Sequence, residues 1–372
     1  MIPYFILLLL SFFFCFVAKA KEKGKLYVGV NEIVSENCFA VSVFFLLLWF
    51  LLACRGIEIG KDTQNYEIYF DRFCNSSFSQ AVVSDLEPLF GALSWLIAKV
   101  VRSNFQLYLA IVAAITIIPI AILYNQDKRH SYLKIILFLN MSVFVMLFSG
   151  IRQSMAMGIG LIAFHFVKQR KLLLFIIVVL TAMGIHQSAF ILFTMYPLYY
   201  FKLKRKHALI VVPLIALVFL FNKPIFSALL GFMSLLGTKY DDYAVIESTG
   251  AITMIICFSF FTVFAYIIPN DKNAETEFIG MRNYLVMATI LQCFAPLHSL
   301  AMRMNYYFIL FIPVVIPKVL NYTDARWKEV AKLAEVVLCI FFTIYFVLNV
   351  YTGCRTDGGS LHTYPYIPFW AS

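Results

Sequence analysis

Residues 131–167 read SYLKIILFLNMSVFVMLFSGIRQSMAMGIGLIAFHFV. Two apolar runs, residues 131–148 and 155–167, flank one polar join, Ser149-Gly150-Ile151-Arg152-Gln153-Ser154. Apolar runs of about 15 to 20 residues suit helices that cross a bilayer. An arginine–glutamine pair where two such runs meet is hard to explain by packing alone. The join is expected to be the centre of a polar site at one membrane face.

Working outward, similar runs recur from end to end. The chain has 372 residues, 62% hydrophobic and only 13% charged, against roughly 25% charged in soluble domains. A transmembrane β-barrel would instead show alternating segments of about 10 residues. The predicted fold is all-α: a polytopic helical membrane protein in one domain, residues 1–372, because no polar stretch is long enough to bury a core of its own. Spans are expected near residues 1–18, 39–54, 105–124, 131–148, 152–167, 171–185, 188–201, 208–221, 250–268, 283–295, 304–317 and 333–350. That makes about twelve transmembrane helices with both ends outside. Residues 55–104 form a long outer loop, and residues 89–101 within it are too short to cross unaided, which reads as a re-entrant or interfacial helix.

Charge tests this topology. The loops assigned inside carry 20 of the 30 Lys and Arg residues, and the 20 acidic residues divide 10 and 10. The inside is therefore +10 and the outside near neutral, which is the positive-inside pattern. It accounts for the whole net charge without nucleic acid as a partner. The cysteines have no metal-type spacing, so no metal is expected, and a divalent cation at Asp241-Asp242 has no adjacent third ligand. Cys74 and Cys354 fall in outer loops, where a disulfide could join them. Ala156, Gly160 and Ala163 share one helix face that permits close packing.

Under this topology the unusual polar groups share the outer face. They are Arg55 to Tyr66, with Asp62 and Thr63; Arg152-Gln153; His186-Gln187; His298 and Arg303; and the tail Tyr364-Pro365-Tyr366. Each has a bland reading. Arginines can mark helix ends or snorkel, His186 can be a turn residue, Asp62 can cap the next helix, and His298 reads as structural. Yet Arg152 and Arg303 both open spans on the side where basic residues are disfavoured. A guanidinium at a helix N-terminus suits a diphosphate or carboxylate. Either Asp62 or His186 could take a proton from a hydroxyl, with Asp62 slightly favoured. Span interiors read as nearly free of ionisable residues, against a transporter pathway such as a lipid-linked oligosaccharide flippase. A lone histidine without a spaced Ser or Asp makes acyl transfer weak.

The sequence Arg-Gly-x-x-x-Gly-x-Asp-Thr-x-x-Tyr at residues 55–66, Ile-Arg-Gln-Ser at 151–154, Ile-His-Gln-Ser-Ala at 185–189 and Arg-Met-Asn-Tyr-Tyr-Phe at 303–308 resembles the EpsG family. These are Wzy-like bacterial polysaccharide polymerases and related membrane glycosyltransferases. The resemblance runs through nearly the whole chain in order. It implies polymerisation of polyprenyl-diphosphate-linked repeat units at the outer face of the bacterial inner membrane, in exopolysaccharide, capsule or O-antigen biosynthesis. It implies a fold akin to lipid-sugar-dependent (GT-C-like) glycosyltransferases, no cofactor, and a flippase and a chain-length regulator as partners. On this reading Asp62, His186, Arg152 and Arg303 are the catalytic candidates. Arg55, Thr63, Tyr66, Gln153 and Gln187 are the substrate-binding ones.

Overall fold

A computed structural model describes residues 1–22, 36–127, 129–235, 249–271, 274–356 and 361–371. The pair Asp241-Asp242 lies outside the described residues. The described chain is helical, with no named strand, and divides into two compact units.

The first unit is residues 1–190 with 335–372. It contains α1 (Ile2–Glu22), α2 (Glu36–Ala53), α3 (Thr63–Asn75), α4 (Phe78–Val82), α5 (Pro88–Val101), α6 (Phe105–Asn125), α7 (Ser131–Asn140), α8 (Ser142–Ser149), α9 (Ile151–Lys168) and α10 (Leu172–Ile185). The second unit, residues 191–334, holds α11 (Met195–Tyr200), α12 (Ala208–Leu220), α13 (Asn222–Leu235), α14 (Thr249–Ile267), α15 (Thr276–Gln292), α16 (Ser299–Ile309) and α17 (Ile312–Asn321). The last helix, α18 (Lys328–Gly353), contributes most of its length to the first unit.

By length and composition, α6 and α18 can each cross a membrane among the described residues. Three bent pairs, α7 with α8 at 61°, residues 205–220 with 222–229 at 80°, and α16 with α17 at 43°, bring the number to five if each is one span. The remaining apolar helices are shorter. Apolar residues also cover the outside: Val336, Val337, Ile340, Phe341, Ile344 and Leu348 of α18 are all more than half exposed. A continuous apolar stripe of this kind suits lipid rather than water.

The run 131–148 is broken, not straight. Its apolar pattern shows no Pro or Gly, and the break falls between Asn140 and Met141. The buried Asn140 amide donates to the carbonyls of Ile136 at 2.7 Å and Phe342 at 2.9 Å, which ties the bend to α18. The expected span 188–201 is likewise irregular: a 3₁₀ run, Gln187–Thr194, precedes the short α11. The helix restarts just before Pro197, whose missing N–H costs no helical bond in a first turn.

Gly158, which lies outside the predicted small-residue face, sets a close approach between α6 and α9. A Cβ there would lie 2.6 Å from the Ile115 carbonyl oxygen. Ala156, Gly160 and Ala163 are buried on the same helix. The Trp49 indole N–H donates to the Ala110 carbonyl at 2.8 Å and ties α2 to α6.

Span interiors are expected to be nearly free of ionisable residues, and three basic side chains are buried within helices. Lys134, inside the expected span 131–148, is buried and donates to the Tyr124 and Asp127 carbonyls at the end of α6. In the second unit α15 starts earlier than expected, so Arg282 is fully enclosed, paired with Asp271 at 2.8 Å and set over the Tyr266 ring. Lys318 pairs with Glu277 at 3.4 Å. Each cation is compensated, as burial requires.

The helix ends of the first unit sort into two groups. At one end, Ser42 meets Asn125, Lys168 meets Gln126, and His130 meets Glu335 at 2.8 Å. The other end gathers the end of α2, the start of α6, the α8–α9 join and the end of α10, and the candidate site is there.

Candidate functional site

The loop after α2 is shaped by backbone before any side chain acts. Gly60 has φ +90°, and a Cβ there would fall 1.8 Å from the Phe148 carbonyl oxygen, so only glycine fits. The segment 361–371 runs alongside. Gly56, Gly60 and Lys61 N–H groups donate to the carbonyls of Ile367, His362 and Leu361 at 2.8, 2.9 and 3.1 Å. Phe369 N–H closes the strap on Cys54 at 3.0 Å. Tyr366 donates to the Leu51 carbonyl at 2.9 Å and Tyr4 to the Thr363 carbonyl at 2.6 Å. The predicted tail group therefore does join the first loop.

Arg55 and Thr63 turn inward. Arg55 is 2% exposed and donates through Nη1 to the Leu52 carbonyl at 2.7 Å. Burial pushes its guanidinium down to about 10, against the pull of the Tyr366, Tyr4 and Tyr66 phenols, so it remains a cation at neutral pH. Thr63 is fully buried and donates to the Ile59 carbonyl at 2.6 Å. Gln153 is buried as well.

Asp62 stands half-buried before α3 and makes no side-chain cap bond. Its Oδ2 instead accepts from Ser149 Oγ at 3.1 Å, reaching the polar join directly. One turn along, the Tyr66 phenol accepts the backbone N–H of Arg152 at 3.4 Å, and burial raises its pKa. Phe90 packs edge-on against the Tyr66 ring.

The residue that unites the site is Glu87, which lies within the predicted outer loop 55–104. It stands immediately before Pro88, the first residue of α5, and its carboxylate makes no cap bond to its own helix. Oε2 meets Arg152 Nη1 at 2.5 Å. Oε1 meets His186 Nδ1 at 3.0 Å and accepts the Gln187 N–H at 3.2 Å. The side chains of Glu87, His186 and Arg152 are 9%, 12% and 28% exposed. Burial alone would raise the Glu87 pKa. The His186 hydrogen bond and the Arg152 charge outweigh it and bring the carboxyl down to about 2. Glu87 is thus an anion at any physiological pH. Its position before Pro88 is a helix-start signal in the sequence, but its partners lie 65 and 99 residues away.

Asp62, Tyr66, Arg152, His186 and Gln187 are therefore brought together, around a carboxylate from α5. Helix α5 is wedged there: Ser94 meets the Tyr108 phenol at 3.0 Å on α6, and a Cβ on Gly184 of α10 would strike Leu89. Arg303 belongs to the second unit, half-buried on α16. His298 caps that helix, its Nδ1 accepting the Leu300 N–H at 3.1 Å, and packs tilted against the Phe226 ring at 5.4 Å. This fits its structural reading. Behind it, Asn305 donates to Gln292 at 2.9 Å.

Among the described residues no group of three His, Cys, Asp or Glu is placed to hold a metal ion. Cys74 and Cys354 are both free thiols, so the disulfide considered from sequence does not form. No curated protein and no solved structure matches the chain. A family model does match, the EpsG family, over residues 38–367. That range includes every predicted site residue, the Glu87 cluster and most of the strap. With its apolar helices and this match, the chain is a membrane protein and belongs to the EpsG family.

Proposed function

We propose that this protein is a glycosyltransferase that polymerises polyprenyl-diphosphate-linked oligosaccharide repeat units at the outer face of the bacterial inner membrane. The product would be an exopolysaccharide, capsule or O-antigen chain. The observation that carries the reading is the gathering of Asp62, Arg152 and His186 at one end of an apolar helix bundle, in a chain of the EpsG family. Arg152 sits in the first turn of α9, where backbone N–H groups and the helix dipole also favour an anion.

In the proposed reaction an acceptor sugar hydroxyl attacks the anomeric carbon of the donor. The new C–O bond forms as the bond to the diphosphate breaks, and its electron pair leaves with the lipid diphosphate. Arg152 faces the charge that develops there, and Asp62 or His186 takes the hydroxyl proton. Fixed charges act most strongly where water is excluded. Tyr66 and Gln187 would meet sugar hydroxyls, while Arg55, Thr63 and Gln153 would hold the walls from inside. A flippase supplying the lipid-linked units and a chain-length regulator are the partners this role calls for.

The test is polymer length in a strain lacking the gene, complemented with Arg152→Ala, His186→Ala, Asp62→Asn or Arg303→Ala. At normal protein levels each variant should shorten or abolish the polymer. Loss of one such contact typically costs about 3 kcal/mol, on the order of a hundredfold in rate. Full-length polymer from all four variants would overturn the reading.

A further inference from the structure

We infer that Glu87 is the positioning carboxylate that makes His186, rather than Asp62, the proton acceptor and fixes Arg152 for the leaving group. The inference rests on the transferase reading above and narrows it to one base.

The geometry is that of a carboxylate serving two masters from a third helix. Glu87 forgoes its own helix, and its two oxygens are divided between α9 and α10. A carboxylate held as an anion can only accept at Oε1, so Nδ1 of His186 must carry the proton that joins them. In the neutral imidazole the lone pair then belongs to Nε2. A base needs that tautomer fixed in place. The Gln187 N–H on the same oxygen holds the carboxylate still. At transfer the acceptor hydroxyl gives its proton to Nε2, and the imidazolium that forms lies beside a permanent anion. Asp62 has no such arrangement, since its Oδ2 accepts a neutral hydroxyl from Ser149.

Two charged groups on the helices packed against α10 meet at His186. Helix α5 supplies Glu87 and α9 supplies Arg152. The other titratable side chains of these helices, Lys99, His165 and Lys168, lie in their last turns and bond elsewhere. Helix α10 itself contributes none. Removing the Glu87 charge takes away the anion bonded to His186 and leaves the Arg152 cation near it. The protonated form loses support, and the neutral base persists to lower pH.

The experiment uses membranes of the gene-deletion strain, which supply their own accumulated lipid-linked repeat units, carrying wild type, Glu87→Gln, Glu87→Asp, His186→Ala, Arg152→Ala or two double variants. Initial rates of chain lengthening are read from about pH 5 to 8, normalised to protein in the membrane. Glu87→Gln should slow lengthening on the order of a hundredfold or more, as loss of a histidine-orienting carboxylate does. The acid limb of its profile should move about one pH unit lower, and Glu87→Asp should recover part of the rate. Glu87→Gln should cost little more once His186→Ala is present. If Glu87→Gln fails to reach the membrane, Glu87→Asp with and without His186→Ala closes the same cycle.

Full multiplicative loss in the double variant would overturn the inference, as would an unchanged pH profile. So would a Glu87→Gln enzyme with tighter apparent substrate binding, since Glu87 would then be a stand-in for the diphosphate. Wild-type lengthening by His186→Ala and Arg152→Ala would sink the transferase site itself. Loss in those two with a normal Glu87→Gln enzyme would sink only the role given to Glu87.

Discussion

Glu87 links pH to stability as well as to chemistry. Its folded pKa of about 2 lies below the ordinary 4.5. A depressed carboxyl adds stability that is fully present above its unfolded pKa and is lost as pH falls through the folded one. Wild type should therefore lose thermal stability between about pH 4.5 and 2 more steeply than Glu87→Gln, by melting in detergent. Parallel curves would show that the Arg152–Glu87–His186 contacts do not stabilise the fold. At this scale the sequence was half legible. Arg152, His186 and Asp62 stood out because polar residues are rare among apolar runs. Glu87 did not, because it sits in a loop with other acidic residues and its burial depends on partners remote in sequence. Arg55 was legible as unusual, but its inward turn came only with the strap that covers it.

The strap is the element whose part was least visible. Tyr364-Pro365-Tyr366 could be noted as polar-aromatic, yet nothing local says that residues 361–371 clasp residues 54–61. Four backbone hydrogen bonds do so, each worth about 1 kcal/mol net. Deleting residues 361–372 should lower the melting temperature and abolish polymer while the protein still reaches the membrane. Undiminished polymer from the truncated chain would remove the strap from the site's architecture. The glycine spacing of residues 55–66 was readable as a motif, but its physical cause is the approach of Gly60 to Phe148. Helix breaks show the opposite limit. The 61° bend after Asn140 falls in a run without Pro or Gly, so no local propensity announces it. By contrast α6, α9 and α10 fall within a few residues of where apolar periodicity puts them.

For the molecule as a whole, composition alone indicated helices in a membrane, and the exposed apolar stripe of α18 agrees. The count of spans is harder to read. Among the described residues two helices meet the length of a bilayer outright, and others are short, bent or broken. Such irregularity is tolerated where freed backbone is buried in protein, and the lipid-linked substrate proposed above would need polar groups near that boundary. The most direct test of the central claim is chain lengthening by purified protein in proteoliposomes, given labelled polyprenyl-diphosphate-linked repeat units. The account predicts products longer than one repeat from wild type and only starting material from Arg152→Ala. Labelled lipid that crosses the bilayer without lengthening would contradict it.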